Sequence, residues 1–162
     1  MKTLIVYAST YGYTKDCVEE LKKQLGGDVV LANVMSGTIP ALDSFDNIII
    51  GGSIYMGQIQ KKVKLFCSKN MDEILTKRLG LFLCCGLPEN FLEHLNQAFN
   101  EELIKKALVK ECFGGELRTE KMNFAHKAIT NLMKKAMEKD GKLETMQMPG
   151  NIKKLAEIMN KK

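Results

Sequence analysis

The sequence predicts an α/β protein in which a five-stranded parallel sheet is covered by helices on both faces. Short β-branched apolar runs alternate with segments of helical periodicity, and the apolar runs are nearly continuous. Continuous apolar strands, each followed by a helix, are typical of a parallel sheet buried on both faces. Right-handed crossovers leave few topologies, and the doubly wound strand order 2-1-3-4-5 fits five strands.

The elements follow from apolar periodicity and from the glycine and proline residues between them. The five predicted strands span residues 3–8, 28–34, 45–50, 78–85 and a stretch within 109–117. The predicted helices span residues 13–25, 60–69, one long or two short helices within 90–108, and 151–160. Gly51-Gly52 is expected to end the third strand.

Length and composition predict a single globular domain over residues 1–162. Hydrophobic residues make up 45% of the chain and charged residues 27%, with a net charge of +5. This charge suits an acidic partner, nucleic acid or an anionic membrane surface without selecting one, and no nucleic-acid recognition motif is present. The apolar stretches are too short for a secretory signal or a membrane span. We expect a cytoplasmic protein.

The cysteines argue against a disulfide framework or a metal site, because none lies in a CxxC motif and their number is odd. We interpret all of them as reduced thiols. They are Cys17, Cys67, Cys84, Cys85 and Cys112.

A polar loop leads from the first predicted strand into a helix. Unpaired N–H groups and the helix dipole attract anions to such a helix N-terminus, and Gly12 allows a close turn around a phosphate. The loop lacks the glycine pattern of dinucleotide sites and the Gly-Lys-Ser/Thr of P-loops. It therefore predicts a phosphate-monoester site, with simple helix capping as the alternative. The loop consists of Ser9, Thr10, Tyr11, Gly12, Tyr13 and Thr14.

The residues around this loop resemble the signature of the flavodoxin family. That signature requires two aliphatic residues, an aromatic residue, any residue, Ser or Thr, two further residues, a small residue, any residue and Thr. Residues 5–14 supply each class in turn, and Leu21 supplies a later aliphatic position, although Val18 replaces an alanine. The resemblance implies a flavodoxin-like fold, one FMN as cofactor, and contact between residues 9–14 and the FMN phosphate.

The same resemblance implies that the loops after predicted strands three and four flank the flavin ring. Tyr55 is the candidate for stacking, since the chain has no Trp. Gly57 is the candidate for a peptide that hydrogen-bonds the flavin. The loop after strand three contains Ser53, Ile54, Tyr55, Met56 and Gly57, and the loop after strand four contains Cys85, Gly86 and Leu87.

Three lysines follow the strand-three loop, at Lys61, Lys62 and Lys64. Positive charge favours an anionic reduced flavin. We therefore expect a less negative reduction potential than in flavodoxins with acidic residues around the flavin, unless these lysines form only a solvated helix face.

Residues 1–5, 52–57 and 114–118 are similar to segments of menaquinone-dependent protoporphyrinogen oxidases. This resemblance implies an FMN-dependent oxidoreductase that passes electrons from an organic substrate to a quinone or another acceptor. The flavin carries the chemistry in such enzymes, so no catalytic side chain is predicted. The alternative is a flavodoxin-type electron carrier that docks to redox proteins.

Residues 118–147 are predicted to form an insertion, because a direct connection between strand five and the last helix needs only a few residues. Within it, residues 121–139 have a Met-rich apolar stripe at helical spacing, with lysines elsewhere on the helix. Such a helix can pack on the domain's own core, cover an apolar substrate or contact the inner face of a membrane. His126 lies in the stripe and is interpreted as a packing residue or a proton carrier.

Overall fold

The fold is taken from a computed structural model that describes residues 1–116, 118, 120, 124, 127–128, 131 and 146–161. The strands are β1 Lys2–Ala8, β2 Asp28–Asn33, β3 Asn47–Tyr55, β4 Gln58–Ile59, β5 Arg78–Cys84 and β6 Val109–Cys112. The helices are α1 Tyr13–Gln24, α2 Lys61–Lys69, α3 Met71–Thr76, α4 Phe91–Ala98, α5 Glu101–Lys106 and α6 Pro149–Asn160. Short 3-10 turns lie at Leu42–Ser44 and Pro88–Asn90.

The sheet has the order β2-β1-β3-β5-β6, and all four pairings along this path are parallel. This confirms the predicted doubly wound order, in which the fourth and fifth predicted strands are β5 and β6. The short strand β4 was not predicted, and it pairs with β3 in an antiparallel hairpin.

Helices cover both faces of the sheet and form two separate core clusters. Burial of one large aliphatic side chain contributes about 1.5–3 kcal/mol, so these clusters hold the helices on the sheet. The face under α1 and α6 buries Val18, Leu21, Leu155 and Met159 with Ile5, Ile49 and Phe82 of the strands. The face under α2 to α5 buries Val63, Ile74, Leu95 and Leu103 with Leu4, Ile50 and Leu81.

Strand β3 continues through Gly51 and Gly52, where we expected it to end. Both glycines pair with β1 and with β5. Glycine usually weakens a strand, but a Cβ at Gly51 would overlap the carbonyl oxygen and the ring of Phe82. The Phe82 ring stacks on Phe113, with ring centroids 4.6 Å apart. The glycine that was interpreted as a strand end is therefore a residue on which this packing depends.

Other differences from the sequence analysis concern element boundaries. The segment 90–108 forms two helices, and the Asn100 side chain caps α5 by accepting a hydrogen bond from the Leu103 N–H at 3.0 Å. Helix α3 was not predicted, and β6 ends at Cys112, before the predicted limit. Of the helix predicted over 121–139, residues 124, 127–128 and 131 are described and are helical, whereas His126 and the rest of that range lie outside the described residues. Within the described ranges, no helix is both long enough and apolar enough to cross a membrane.

We expect Gly51→Ala to lower the free energy of unfolding by about 2–3 kcal/mol, because overpacking a core costs about 1–3 kcal/mol. Gly86→Ala is the matched control, since no described atom lies within 4 Å of a Cβ added there. Its unfolding free energy should stay within about 0.5 kcal/mol of the original protein. Urea denaturation followed by circular dichroism measures both. Equal stability of Gly51→Ala and the original protein would contradict the steric role.

Candidate functional site

The candidate site begins at one row of paired residues that crosses the sheet. Ala8 pairs with Gly52, Gly52 with Leu83, and Leu83 with Cys112. Because parallel strands point the same way, the segments that follow these residues leave the sheet at its carboxyl edge, where doubly wound proteins bind ligands. The fold therefore brings together the three loops that the sequence analysis assigned to one ligand.

Ser9 organises the loop between β1 and α1. Its Oγ accepts hydrogen bonds from the N–H groups of Gly12 at 3.2 Å and Lys15 at 3.3 Å. Gly12 has a φ of 98°, in the region that favours glycine. Its carbonyl oxygen accepts a helical hydrogen bond from the Asp16 N–H at 3.0 Å. Two amides at the start of α1 thus converge on one hydroxyl oxygen, an arrangement that also suits an anion.

The charges around this helix N-terminus suit a negatively charged ligand. Asp16, the acidic residue of the first turn, forms an ion pair with Arg118 at 2.7 Å. Arg118 also pairs with Glu116 at 2.9 Å, and Lys15 is exposed. The helix dipole adds partial positive charge at the same place. The guanidinium of Arg118 thus offsets part of the negative charge of Asp16 and Glu116.

Tyr13 and Thr14 direct their side chains into the protein. The Tyr13 hydroxyl donates to the Phe113 carbonyl oxygen at 2.8 Å, and burial raises the pKa of Tyr13 above its ordinary value. Thr14 is only 1% exposed, and its side chain hydrogen-bonds the Cys84 thiol. These contacts hold α1 against β5 and the chain after β6. The side-chain hydroxyls of Ser9 and Thr10 are therefore the aliphatic hydroxyls of this loop that are not directed into the protein.

The expected second loop is a β-hairpin. Strand β3 continues to Tyr55, which pairs with Gln58 across a two-residue turn. Met56 and Gly57 have φ values of 49° and 75°, typical of the type I′ turns that join hairpin strands. Ile54 packs against the core cluster under α2 to α5, whereas Met56 at the tip is 63% exposed. Met56 at the tip is therefore open to contact with a ligand, whereas Ile54 is half-buried against the core.

Gln60 joins this hairpin to the first loop, and the sequence analysis did not identify it as a site residue. Its Nε2 donates to Thr10 Oγ1 at 3.3 Å and to Ser53 Oγ at 2.5 Å. Its Oε1 is buried without a hydrogen-bond partner in the described part of the chain. Gln60 occupies the N-cap position of α2, where Ser, Thr, Asp and Asn are usual. A glutamine at this N-cap position is the sequence signal by which Gln60 could have been identified as a site residue.

Two tyrosines from different loops interact at this edge. Burial raises the pKa of Tyr11, and the nearby Tyr55 hydroxyl raises it further. The Tyr55 hydroxyl is itself buried. The first loop and the hairpin thus each contribute an aromatic side chain to one place, which suits contact with a planar ligand.

The third loop, after β5, is supported by the chain that follows β6. Gly115 packs so closely on the Cys85–Gly86 peptide that a Cβ added to it would lie 2.7 Å from the Gly86 nitrogen. The Leu87 carbonyl oxygen accepts a hydrogen bond from the Asn90 N–H at 3.1 Å. Gly86 is exposed. This loop therefore presents firmly supported backbone to solvent, while the Cys85 side chain is buried.

The structure is thus a doubly wound α/β domain with a polar loop and a helix N-terminus at the carboxyl edge of its sheet, the place where folds of this class hold their ligands. The chain belongs to the flavodoxin domain family, whose model matches residues 4–144. This confirms the flavodoxin resemblance of the sequence. The closer resemblance to protoporphyrinogen oxidases stays a prediction. No curated protein sequence matches the chain.

Solved structures share the fold. The flavodoxin of Streptococcus pneumoniae TIGR4 is 16% identical and has a TM-score of 0.55, with 98% of this chain and 97% of that chain covered. A short-chain flavodoxin associated with a bacterial microcompartment is 13% identical and has a TM-score of 0.55, with 72% of this chain and 83% of that chain covered. The Fusobacterium nucleatum flavodoxin bound to flavin mononucleotide is 20% identical and has a TM-score of 0.48, with 70% of this chain and 69% of that chain covered.

We expect Met56→Asn to raise the free energy of unfolding by about 0.5–1 kcal/mol. A left-handed backbone costs most side chains about 1–2 kcal/mol, and asparagine tolerates it better. Met35→Asn is the control, because Met35 is also exposed and Met56 is the only non-glycine residue of positive φ within the described ranges. Thermal and urea unfolding measure both variants. A stabilised Met35→Asn, or an unchanged Met56→Asn, would argue against strain in the turn.

Proposed function

We propose that this chain binds FMN and carries electrons between redox proteins. The observation that supports it best is the convergence of two backbone amides, that of the N-cap residue Gly12 and that of Lys15 in the first turn of α1, on Ser9 Oγ at the carboxyl edge of a flavodoxin-type sheet. When bound, FMN supplies a ring that takes up and returns one or two electrons. The protein's own residues bind that group, orient it and set its electrostatic environment.

The α1 N-terminus would hold the phosphate. Because Ser9 Oγ accepts two amide hydrogens, its own hydrogen can donate to a phosphate oxygen. Gln60 holds the exposed Thr10 hydroxyl beside it as a second donor. Lys15 and the helix dipole add positive charge. Hydroxyls, amides and the dipole together suit a monoester dianion, whose oxygens accept several hydrogen bonds at once.

The hairpin and the third loop would hold the ring. Tyr55 is the aromatic side chain of the hairpin, and the Met56–Gly57 turn is exposed beside it. Gly57 has open space around it, with no described atom within 4 Å of an added Cβ. The exposed backbone at Gly86 leaves similar room on the other side. A flat ring would therefore lie between the hairpin turn and the backbone at Gly86.

The lysines of α2 favour an acidic redox partner. Lys61, Lys62 and Lys64 are exposed in the first turn of this helix, directly after Gln60. Positive charge at a helix N-terminus is unfavourable with the helix dipole, so an acidic counterpart would relieve that cost. The same charges would favour an anionic reduced flavin and a less negative reduction potential.

The carrier function is preferred over protoporphyrinogen oxidase-type chemistry. The matched family is the flavodoxin domain itself. The oxidase resemblance rests on three short segments, of which residues 114–118 lie only partly within the described residues. The features that do support ligand binding, namely the α1 loop and the hairpin, serve a carrier and an enzyme equally.

We expect Ser9→Ala to weaken FMN binding about tenfold or more and to leave riboflavin binding unchanged. A hydrogen bond to a charged group is worth about 1.5–3 kcal/mol, and riboflavin lacks the phosphate. Flavin fluorescence quenching on titration measures both affinities. Ser68→Ala is the control, since its hydroxyl donates to the Leu65 carbonyl oxygen on α2. Failure of the original protein to bind FMN would overturn the proposal. An equal loss of riboflavin affinity would show that Ser9 does not act through the phosphate.

Stepwise reduction distinguishes a carrier from an enzyme. We expect the FMN-loaded protein, titrated anaerobically with dithionite, to take up its two electrons in two separate one-electron steps. A carrier that exchanges single electrons needs such a separation, whereas an oxidoreductase acting on an organic substrate transfers two together. Free FMN under the same conditions is the reference. Uptake of both electrons in one step would contradict the carrier function and make oxidation of an organic substrate by a quinone the next activity to assay.

A further inference from the structure

Two buried thiols face each other where β5 and β6 end. Cys85 Sγ lies 3.2 Å from Cys112 Sγ, within hydrogen-bonding distance for sulfur. The two residues are 3% and 5% exposed. Cys112 ends β6 and Cys85 directly follows the neighbouring strand β5, and the proposed electron-carrier function uses neither thiol.

The surrounding structure holds both sulfur atoms in place. The Gly114 N–H donates to Cys112 Sγ at 3.4 Å, and Asn151 Nδ2 donates to the Cys112 carbonyl oxygen at 2.7 Å. Gly115 packs directly on the Cys85–Gly86 peptide. An S–S bond is about 2.05 Å long, so the sulfur atoms need to approach by only about 1 Å. Small side-chain rotations would bring them to bonding distance.

Hydrogen bonding also divides the chemical roles. The Cys85 thiol and the Gly114 N–H both stabilise a Cys112 thiolate, which lowers the pKa of Cys112 to about 7. The same thiol–thiolate hydrogen bond raises the pKa of Cys85. Cys112 is therefore partly ionised at neutral pH and can act as a nucleophile, while Cys85 keeps its proton.

We propose that Cys85 and Cys112 form a reversible dithiol–disulfide couple that is oxidised by a hydroperoxide. The Cys112 thiolate attacks the terminal peroxide oxygen, the O–O bond breaks, and the alkoxide or hydroxide that leaves takes a proton from water. The resulting Cys112 sulfenic acid is attacked by the Cys85 sulfur. An S–S bond forms, the S–O bond breaks, and the oxygen leaves as water with the Cys85 proton. The thiols lose two electrons, which the peroxide gains, and a small dithiol reverses the change.

The position of this pair beside exposed backbone favours a small oxidant, since all five cysteines are buried. Gly86, the residue after Cys85, is exposed, and no described atom lies within 4 Å of a Cβ added there. Cys67 lies away from this edge on α2, where burial raises its pKa to about 12. Cys84 is the neighbour of Cys85 but faces the α1 side of the sheet, where it interacts with Cys17. The Cys17–Cys84 pair is thus the competing site.

The test is oxidation of the purified full chain with hydrogen peroxide, followed by alkylation of the remaining thiols and tryptic peptide mapping. We expect alkylatable thiols to fall from five to three, because two enter the disulfide. Trypsin cuts after Lys and Arg, so peptide 79–105 should be joined to peptide 111–118, and dithiothreitol should separate them. Five thiols after oxidation, or a link through Cys17, would overturn the proposal. None of these measurements requires bound flavin, so their outcome does not depend on whether the chain binds FMN.

Single variants identify the cysteine within peptide 79–105, which carries both Cys84 and Cys85. Cys84→Ala should keep the link to Cys112, and Cys85→Ala should abolish it, with thermal unfolding confirming that each variant folds. The opposite pattern would contradict the proposal. If a variant does not fold, fragmentation of the linked wild-type peptide between residues 84 and 85 gives the same assignment.

The rate of thiol loss should rise about tenfold between pH 6 and pH 8, as the thiolate fraction of a group with a pKa near 7 does. The groups facing the pair are Glu111 on β6, Glu89 after the third loop, and Cys84 on β5. Glu111 is paired with Lys154 of α6 at 2.6 Å. A flat profile would contradict Cys112 as the attacking group.

Discussion

The missing side chain at Gly51 is the constraint from which the geometry of the site follows. Because β3 has no Cβ there, the Phe82 ring can lie against the strand and stack on Phe113. The Phe113 carbonyl oxygen in turn accepts the hydrogen bond of Tyr13, the first residue of α1. That contact fixes the start of the helix whose amides converge on Ser9. A packing requirement inside the sheet thus sets the position of a polar loop at its edge.

The row of paired residues across the sheet then separates two kinds of chemistry. On the β1 and β3 side, the chain that follows the row supplies hydroxyls, a carboxamide and backbone amides, to which the proposed function assigns ligand binding. On the β5 and β6 side, it supplies two sulfur atoms in contact. Both sets lie at the carboxyl edge because parallel strands end there together. The register of the sheet therefore places the candidate binding site beside a pair of buried thiols.

Local sequence signals predicted what depends on local structure. The strands, most helices and the loop of residues 9–14 follow from apolar periodicity and from the polar, glycine-containing turn. Gly51 was misinterpreted because its neighbour Phe82 is distant in sequence, and no periodicity reports that contact. Gln60 was missed for the same reason, since its partners Thr10 and Ser53 meet it only in the fold. The contact between Cys85 and Cys112 likewise depends on the register of β5 against β6, which spacing alone does not give.

The chain leaves β6 and returns to α6 through one closed junction. Gly114 forms an antiparallel bridge with Gln147, and the Gly115 N–H donates to the Met146 carbonyl oxygen at 3.0 Å. The two ends of the intervening segment are therefore joined by the domain itself. Closing a longer loop adds little entropy cost once its ends are held together. Evolution can therefore lengthen, shorten or replace that segment while the sheet, the helices and the thiol pair keep their positions.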